Sequence, residues 1–249
     1  MNMKCLRTTA IALSLLTTGA AMANLTTYAQ NFESMSMGSS SALSDDGWLV
    51  FGNVFDPGFN YLYGYGPFGA PNGGAGFSAV ATGEAGANQG TQYLNAYNDY
   101  NNGDHANGNW IEANVFQEQT IGAGDVGQIW NFTFDYKASS TAGPGGSTTT
   151  FAFIKVLDPN NGWALVGFET FETTNASTTS WTEGQLLDVS IASGWAGNIL
   201  QFGFMSTATN YEPSGVFYDN ISFEAVPEPG TLALLGGGLL AAALRRRKK

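Results

Sequence analysis

The stretch 130–137 alternates strictly between aromatic and polar residues. One phase holds Trp130, Phe132, Phe134 and Tyr136, and the other holds Asn131, Thr133, Asp135 and Lys137. Because successive side chains of a β-strand point to opposite faces, this pattern predicts a strand with one aromatic face and one polar face. No long stretch between residues 24 and 226 has the helical period, so the sequence predicts an all-β fold.

Several other segments have the composition of strands. Segments 151–157 and 165–171 are apolar in both phases, as expected for strands buried between two layers, and 200–204 repeats the alternation. Further candidate strands are 30–34, 48–54, 77–81, 93–96, 110–119, 181–190 and 215–224. Clusters of Gly, Asn, Pro and Ser separate them, and about ten strands with such turns predict one β-sandwich domain over 24–225. Segments 56–76 and 98–109 are predicted to be long loops, which are often functional.

The N-terminal residues have the organisation of a secretory signal. Lys4 and Arg7 precede a short apolar segment, and Ala21-Met22-Ala23 forms an A-x-A cleavage site. This order predicts a signal peptide over 1–23 that signal peptidase removes after Ala23. Cys5 would leave with it, so the exported part is expected to contain no disulfide and no thiol nucleophile.

The exported part is strongly acidic. Segment 24–225 contains two lysines against nineteen Asp and Glu residues, a net charge of −17. Such a surface repels nucleic acid and attracts divalent cations. We therefore expect no nucleic-acid partner.

The C-terminal residues 226–249 have three distinct parts. Pro227-Glu228-Pro229 is followed by an apolar run over 231–244 and by five consecutive cations at 245–249. The apolar run would form a helix about 21 Å long, short against a hydrocarbon core of roughly 30 Å. Basic residues after such a helix hold that end in the cytoplasm.

This order of features resembles the PEP-CTERM sorting signal of Gram-negative bacteria, with Pro227, Glu228 and Pro229 as its motif. The resemblance implies recognition and cleavage by an exosortase, and delivery to the cell surface, the outer membrane or the extracellular matrix. It implies membrane contact only through the helix 231–244, before processing. An ordinary tail anchor is the alternative interpretation of the same residues.

The last predicted strand contains one residue that conflicts with its pattern. Asp219 shares its phase with Phe217, Ile221 and Phe223, where an apolar side chain is expected. A buried carboxylate needs a proton, a partner or a metal. An equally open interpretation is that Asp219 only accepts hydrogen bonds from a turn at the rim of the sandwich.

This closing strand resembles that of the jelly-roll carbohydrate-binding modules. The resemblance spans about residues 31–224 and implies a jelly-roll-type β-sandwich. It also implies a structural Ca²⁺ held by Asp219, by Glu33 near the first strand and by backbone carbonyls. Oxygen ligands of this kind suit calcium.

The sequence offers little for catalysis. His105, the only histidine, lies in the polar tract 98–109 and is expected to be solvated. The carboxylate pairs Glu169 with Glu172 and Glu112 with Glu118 are formally available to a glycosidase, although two residues three apart on one strand point to opposite faces. We expect a protein that is not an enzyme.

Binding of saccharides has more support, because sugar rings stack on aromatic side chains while amides and carboxylates bind their hydroxyls. The candidate stacking residues in the two predicted loops are Tyr61, Tyr63, Tyr65, Tyr97 and Tyr100. The alternative is that these tyrosines cover an edge of the core. We therefore expect an exported, non-catalytic carbohydrate-binding protein of a biofilm exopolysaccharide. A structural matrix or coat protein crosslinked by divalent cations is the second hypothesis, and a secreted glycoside hydrolase the third.

Overall fold

Twelve antiparallel strands form two sheets in the computed structural model, which describes residues 25–209 and 211–227. The strands are β1 (Tyr28–Gln30), β2 (Leu49–Phe55), β3 (Tyr61–Gly69), β4 (Ser78–Thr82), β5 (Gln92–Ala96), β6 (Trp110–Thr120), β7 (Ile129–Ala138), β8 (Thr149–Asp158), β9 (Ala164–Glu172), β10 (Thr182–Ser190), β11 (Ile199–Ala208) and β12 (Val216–Ala225). The helical elements in these residues are α1 (Ala42–Asp45) and two 3-10 helices, Gly103–Asn107 and Pro159–Asn161.

The two sheets pack face to face as a sandwich. Sheet 1 has the order β10-β7-β12-β5-β4, with β1 paired to the far part of β12. Sheet 2 has the order β3-β2-β6-β11-β8-β9. The chain passes repeatedly from one sheet to the other, and the predicted jelly-roll-type β-sandwich is confirmed.

The aromatic face of β7 fills the space between the sheets, as its alternation predicts. The Phe132 ring lies 5.4 Å from Phe202 and 5.6 Å from Phe204, and Phe202 stacks on Phe223 at 4.2 Å. All four side chains are fully buried. Burial of each contributes about 1.5–3 kcal/mol, so this aromatic layer is a main source of stability in a body without cysteine.

Three predictions about strands are wrong. Segment 30–34 was expected to be a strand, but β1 ends at Gln30 and the chain turns directly after it. Segment 56–76 was expected to be a loop but contains the nine-residue strand β3. Its Gly and Pro residues obscure the alternation, and Pro67 is tolerated because β3 is an edge strand. Segment 165–171 was expected to be buried on both faces, but β9 is the opposite edge of sheet 2 and leaves Leu165, Val166 and Phe168 exposed.

The predicted common face of β12 is also wrong. The β12–β7 register shifts between Asp219 and Ser222, and Asn220 adopts a positive φ of 47°. This bulge changes the alternation, so Ile221 and Phe223 join the core, whereas Phe217 and Asp219 face away from it. Asp219 is nevertheless buried.

The prediction of a solvated His105 is wrong as well. Its side chain is fully buried, its Nε2 lies 3.1 Å from the carbonyl oxygen of Asp99, and its ring packs 4.9 Å from Tyr211. Burial lowers the pKa of the imidazole below its usual range.

The two predicted targeting segments fall largely outside the described residues. Outside them lie Ala21, Ala23, Glu228, Pro229 and the segment 231–244 that was predicted to be a helix, and Pro227 is the last residue that is described. Within 25–209 and 211–227, none of the helices has the length and apolar character needed to cross a membrane.

Candidate functional site

A groove runs across the face of sheet 2 that is turned away from the main core. We call it the outer groove, and its volume is about 710 Å³. Strands β2, β6, β8 and β11 supply residues of its floor, and the edge strands β3 and β9 supply its sides. Its lining combines several aromatic side chains with a small set of charged and amide groups, which is the usual make-up of a ligand site.

Phe116 of the groove floor belongs to a second apolar cluster, separate from the main core. This cluster consists of Phe116, Phe153 and Met205. Gly203 is the register partner of both phenylalanines, whose rings approach to 6.4 Å. A Cβ at Gly203 would lie 2.2 Å from the carbonyl oxygen of Val115, so glycine is needed for this close approach of strands and rings.

A compact polar network lies on this floor. Lys155 Nζ donates to Asn114 Oδ1 at 2.8 Å and to Glu112 Oε1 at 3.2 Å. The same Glu112 oxygen accepts from Asn114 Nδ2 and from Asn53 Nδ2, each at 3.0 Å. Burial acts to raise the pKa of Glu112, but the Lys155 charge and these hydrogen bonds outweigh it and hold the pKa below its usual range.

Aromatic rings surround the ammonium group of this network. Lys155 Nζ lies 4.5 Å from the ring centre of Phe153 and 5.6 Å from that of Phe168. These distances are typical of cation–π contacts. Only 13% of the Lys155 side chain is exposed, so the cation is held in a largely dry environment.

Large aromatic side chains stand exposed at both sides of the outer groove. Tyr61, at the start of β3, is 59% exposed, and Trp163, before β9, is 57% exposed. Trp163 follows Gly162 in a turn and has a φ of 63°. A bulky residue in the left-handed region is uncommon, and such strain often accompanies function.

The five tyrosines proposed for glycan binding do not come together. Tyr61 lines the outer groove, but the β2–β3 register shifts between the pairs Val54–Tyr63 and Phe55–Tyr61. The shift sends Tyr63 and Tyr65 to the other face, and their hydroxyls donate to Asp104 and Asp99, respectively.

Tyr97 and Tyr100 lie away from the outer groove. Their rings stack at 6.2 Å, and their hydroxyls donate to the carbonyl oxygens of Gly74 (3.1 Å) and Glu212 (2.6 Å). Burial raises the pKa of Tyr97 to about 12. Both side chains bridge neighbouring loops in this structure.

The two residues predicted to hold calcium lie near each other on the outer side of sheet 1. Asp219 is opposite Asp135 in the β12–β7 ladder, and both Asp135 and Glu33 are close enough to raise its pKa electrostatically. Burial is the largest cause, and the pKa of Asp219 rises to about 7. Its Oδ1 accepts from the Asn220 amide at 2.7 Å, whereas the buried Oδ2 has no hydrogen-bond partner among the described residues.

The carboxylates of Asp135 and Glu33, by contrast, each accept several hydrogen bonds. Asp135 accepts from Gln89, Gly184 and Asn220 at 2.7–2.8 Å. Glu33 accepts two backbone amides and one hydroxyl from 91–92, which lower its pKa. Across 25–209 and 211–227, no three Asp, Glu or His side chains converge on a point suited to a metal ion. Backbone carbonyls or water would have to complete a calcium site.

Sequence reasoning missed the polar network of the outer groove. Glu112 and Asn114 do share one phase of β6, and Lys155 has the outward phase of β8. That alternation can be seen in the sequence. The order of the strands, which places β6 and β8 on either side of β11, cannot be seen there.

Comparison with solved structures returned carbohydrate-binding modules, a cyclase and a bacteriophage tailspike domain. The C-terminal family 22 carbohydrate-binding module of Clostridium thermocellum Xyn10B is 14% identical, with 79% of this chain and 91% of that chain covered and a TM-score of 0.37. A cyclase from Fischerella sp. TAU is 13% identical, with coverages of 87% and 98% and a TM-score of 0.42. The enzymatically active domain of bacteriophage CBA120 tailspike protein 4 is 14% identical, with a TM-score of 0.42.

This match includes 78% of the present chain but only 21% of the tailspike chain. No curated protein is detectably similar to this sequence. The described body is a jelly-roll-type β-sandwich with carbohydrate-binding modules among its structural neighbours.

Residues 225–248 match the family described as the PEP-CTERM protein-sorting motif. The predicted sorting signal is therefore confirmed. The chain carries a PEP-CTERM sorting motif, and this motif implies exosortase processing and export to the cell surface or the extracellular space.

Proposed function

We propose that the β-sandwich binds a polysaccharide of the extracellular matrix in the outer groove, without cleaving it. The observation that carries this proposal is Trp163, a large ring that is 57% exposed at the side of the groove and has a left-handed backbone conformation. Exposed aromatic surface and backbone strain both cost stability, so their coincidence favours a binding role.

The polar network supports the same proposal. A sugar lying between Trp163 and Tyr61 would have apolar ring faces against the aromatic sides and hydroxyls above Asn53, Glu112 and Asn114. These groups are oriented by their mutual hydrogen bonds before any ligand arrives, which lowers the entropic cost of binding.

The carboxylates of the outer groove favour binding over hydrolysis. A glycosidase needs two carboxyl groups about 5–9.5 Å apart, one of them with a raised pKa. Glu112 and Glu118 are six residues apart on β6, about 20 Å along an extended strand, and the pKa of Glu112 is lowered. Glu169 and Glu172 pair with Ile154 and Phe151, on opposite faces, as predicted.

Affinity electrophoresis of the exported protein in gels containing its host's matrix polysaccharide tests this proposal. The wild type should be retarded, and Trp163→Ala should lose most of the retardation. Phe68→Ala is the matched control, because Phe68 is an equally exposed aromatic residue of β3 outside the outer groove. Loss of binding in Tyr97→Ala but not in Trp163→Ala would place the site elsewhere and overturn the proposal.

A structural calcium ion near Asp219 is a second proposal. The buried Asp219 Oδ2 without a partner is the observation that favours it, since an ion with oxygen preference would satisfy that atom. Glu33 and Asp135 would add charge around the ion. Once signal peptidase and an exosortase have removed the two terminal segments, this acidic body would remain outside the cytoplasm.

The competing hypothesis is a coat protein that divalent cations crosslink between molecules. The two hypotheses differ in stoichiometry, because an internal ion stabilises the monomer whereas crosslinking ions cause assembly. Light scattering with added Ca²⁺ separates them: a monomer that retains glycan binding supports the proposal made here, and ion-dependent assembly without glycan binding contradicts it.

A further inference from the structure

We propose that Lys155 and Asn114 join in a covalent isopeptide bond, formed by the protein itself with Glu112 as the catalytic residue. The proposal concerns a modification of the chain and does not depend on a bound glycan. It rests on the geometry and the environment of the three side chains.

The two side chains that would react are already hydrogen-bonded. Lys155 Nζ lies 2.8 Å from Asn114 Oδ1. Because a carbonyl bond is about 1.23 Å long, Nζ is at most about 4 Å from Asn114 Cγ. That is close to the separation of about 3–3.5 Å from which bound groups react.

Glu112 contacts both nitrogens that exchange protons in this reaction. Its Oε1 is 3.2 Å from Lys155 Nζ and 3.0 Å from Asn114 Nδ2. The carboxylate accepts a proton from the Lys155 ammonium, and the resulting amine attacks Asn114 Cγ. Glu112 then gives the proton to Nδ2 as the Cγ–Nδ2 bond breaks. One of the two protons left on Nζ is transferred to the departing ammonia, so ammonium leaves, the new amide keeps the other proton, and Glu112 is again a carboxylate.

The surroundings favour the bond over the separate side chains. Asn114 is only 3% exposed, and Phe153 and Phe168 cover Lys155. A largely dry aromatic site protects the amide product from hydrolysis. The bond would connect β6 to β8 across β11 and close a loop between positions 41 residues apart.

The chain contains an internal comparison. Lys137, the other lysine of the described residues, is also buried against a carboxylate, Glu84, but its other hydrogen-bond acceptor is the carbonyl oxygen of Ala138. It donates to no side-chain amide among the described residues, and we expect it to stay unmodified.

Intact-mass spectrometry of the denatured full chain tests the proposal, because loss of ammonia lowers the mass by about 17 Da. Trypsin gives a second readout. Between residues 8 and 244 it can cut only after Lys137 and Lys155. In the linked protein, cleavage after Lys155 is blocked, and the fragment ending at Lys137 stays attached to the one beginning at Ala138.

Glu112→Gln should restore the full mass and release the two fragments, and Lys155→Arg should do the same if Glu112→Gln folds poorly. Glu118→Gln is the matched control, since Glu118 lines the same groove on the same strand but contacts Gln201. It should keep the bond. A wild type with full mass and separable fragments after prolonged incubation of the folded protein would overturn the proposal, as would a gain of about 1 Da at Asn114 from simple deamidation.

Discussion

Asp219 lies directly opposite Asp135 in the β12–β7 ladder, yet the two carboxylates are in very different states. Asp135 accepts three hydrogen bonds, whereas one oxygen of the fully buried Asp219 accepts none among the described residues. A like charge and burial together raise the pKa of Asp219 to about 7. Its protonation state is therefore linked to folding.

The free energy of unfolding should fall as the pH rises through 7 when metal is absent. The raised pKa means that folded Asp219 keeps a proton that the unfolded chain loses near pH 4, so its contribution is complete at low pH and is lost at high pH. We expect Asp219→Asn to be more stable than the wild type by about 1–3 kcal/mol at about pH 8.5, with the difference shrinking as the pH falls below 7 and vanishing only below about pH 4. Denaturant unfolding with a chelator measures this, and parallel pH profiles would contradict it.

Calcium should restore the stability that the folded protein loses at high pH when Asp219 is ionised. An ion bound only by the folded state stabilises it in proportion to its occupancy, so the melting temperature should rise with Ca²⁺ relative to a chelator. The rise should disappear in Asp219→Asn. Asp188→Asn is a control, because Asp188 is an exposed acid of β10 in the same sheet. An unchanged wild-type melting curve would refute the calcium proposal.

Gly203→Ala should destabilise the protein by about 2–4 kcal/mol. Its Cβ would meet the backbone of β6 at Val115 and Phe116, which cannot move without breaking the floor of the outer groove. Gly194→Ala is the matched control: its Cβ meets nothing within 4 Å, so its effect should stay within about 0.5 kcal/mol. Urea unfolding of both variants checks the difference, and equal effects would contradict this account of Gly203.

Trp163→Gly should separate stability from binding. Glycine adopts the left-handed conformation of residue 163 without strain, so we expect the free energy of unfolding to be unchanged or to rise by up to about 1 kcal/mol. Retardation by polysaccharide should be lost. A loss of several kcal/mol would show that the ring serves the fold and not the ligand.

The sequence predicted the sandwich from local alternation, and it succeeded where one face of a strand is consistently buried. The aromatic phase of β7 is the best example. It failed on β3 and β9, whose edge positions permit Pro67 and exposed apolar residues, because strand order is a property of tertiary pairing. The bulge at Asn220 was equally hidden, since one residue in a left-handed conformation reverses a face without changing composition.

The candidate site was predicted only in part. Tyr61 was found by its residue type, but the irregular β2–β3 register that separates it from Tyr63 and Tyr65 cannot be seen in the sequence. Lys155 and Asn114 are 41 positions apart and meet only through the strand order of sheet 2. Asp219, in contrast, was identified because an acid in an apolar phase violates the expected pattern, although the structure turns it away from the core.

The central claim is that polysaccharide binds in the outer groove, and the indole N–H signals of the protein test it most directly. The chain has six tryptophans, and Trp163 lines the outer groove whereas Trp181 lies on the outer side of sheet 1. In NMR titrations with the host's matrix polysaccharide, the account predicts that the Trp163 signal shifts saturably while that of Trp181 stays fixed. A saturating titration that leaves Trp163 unchanged, or that shifts Trp181 instead, would contradict it.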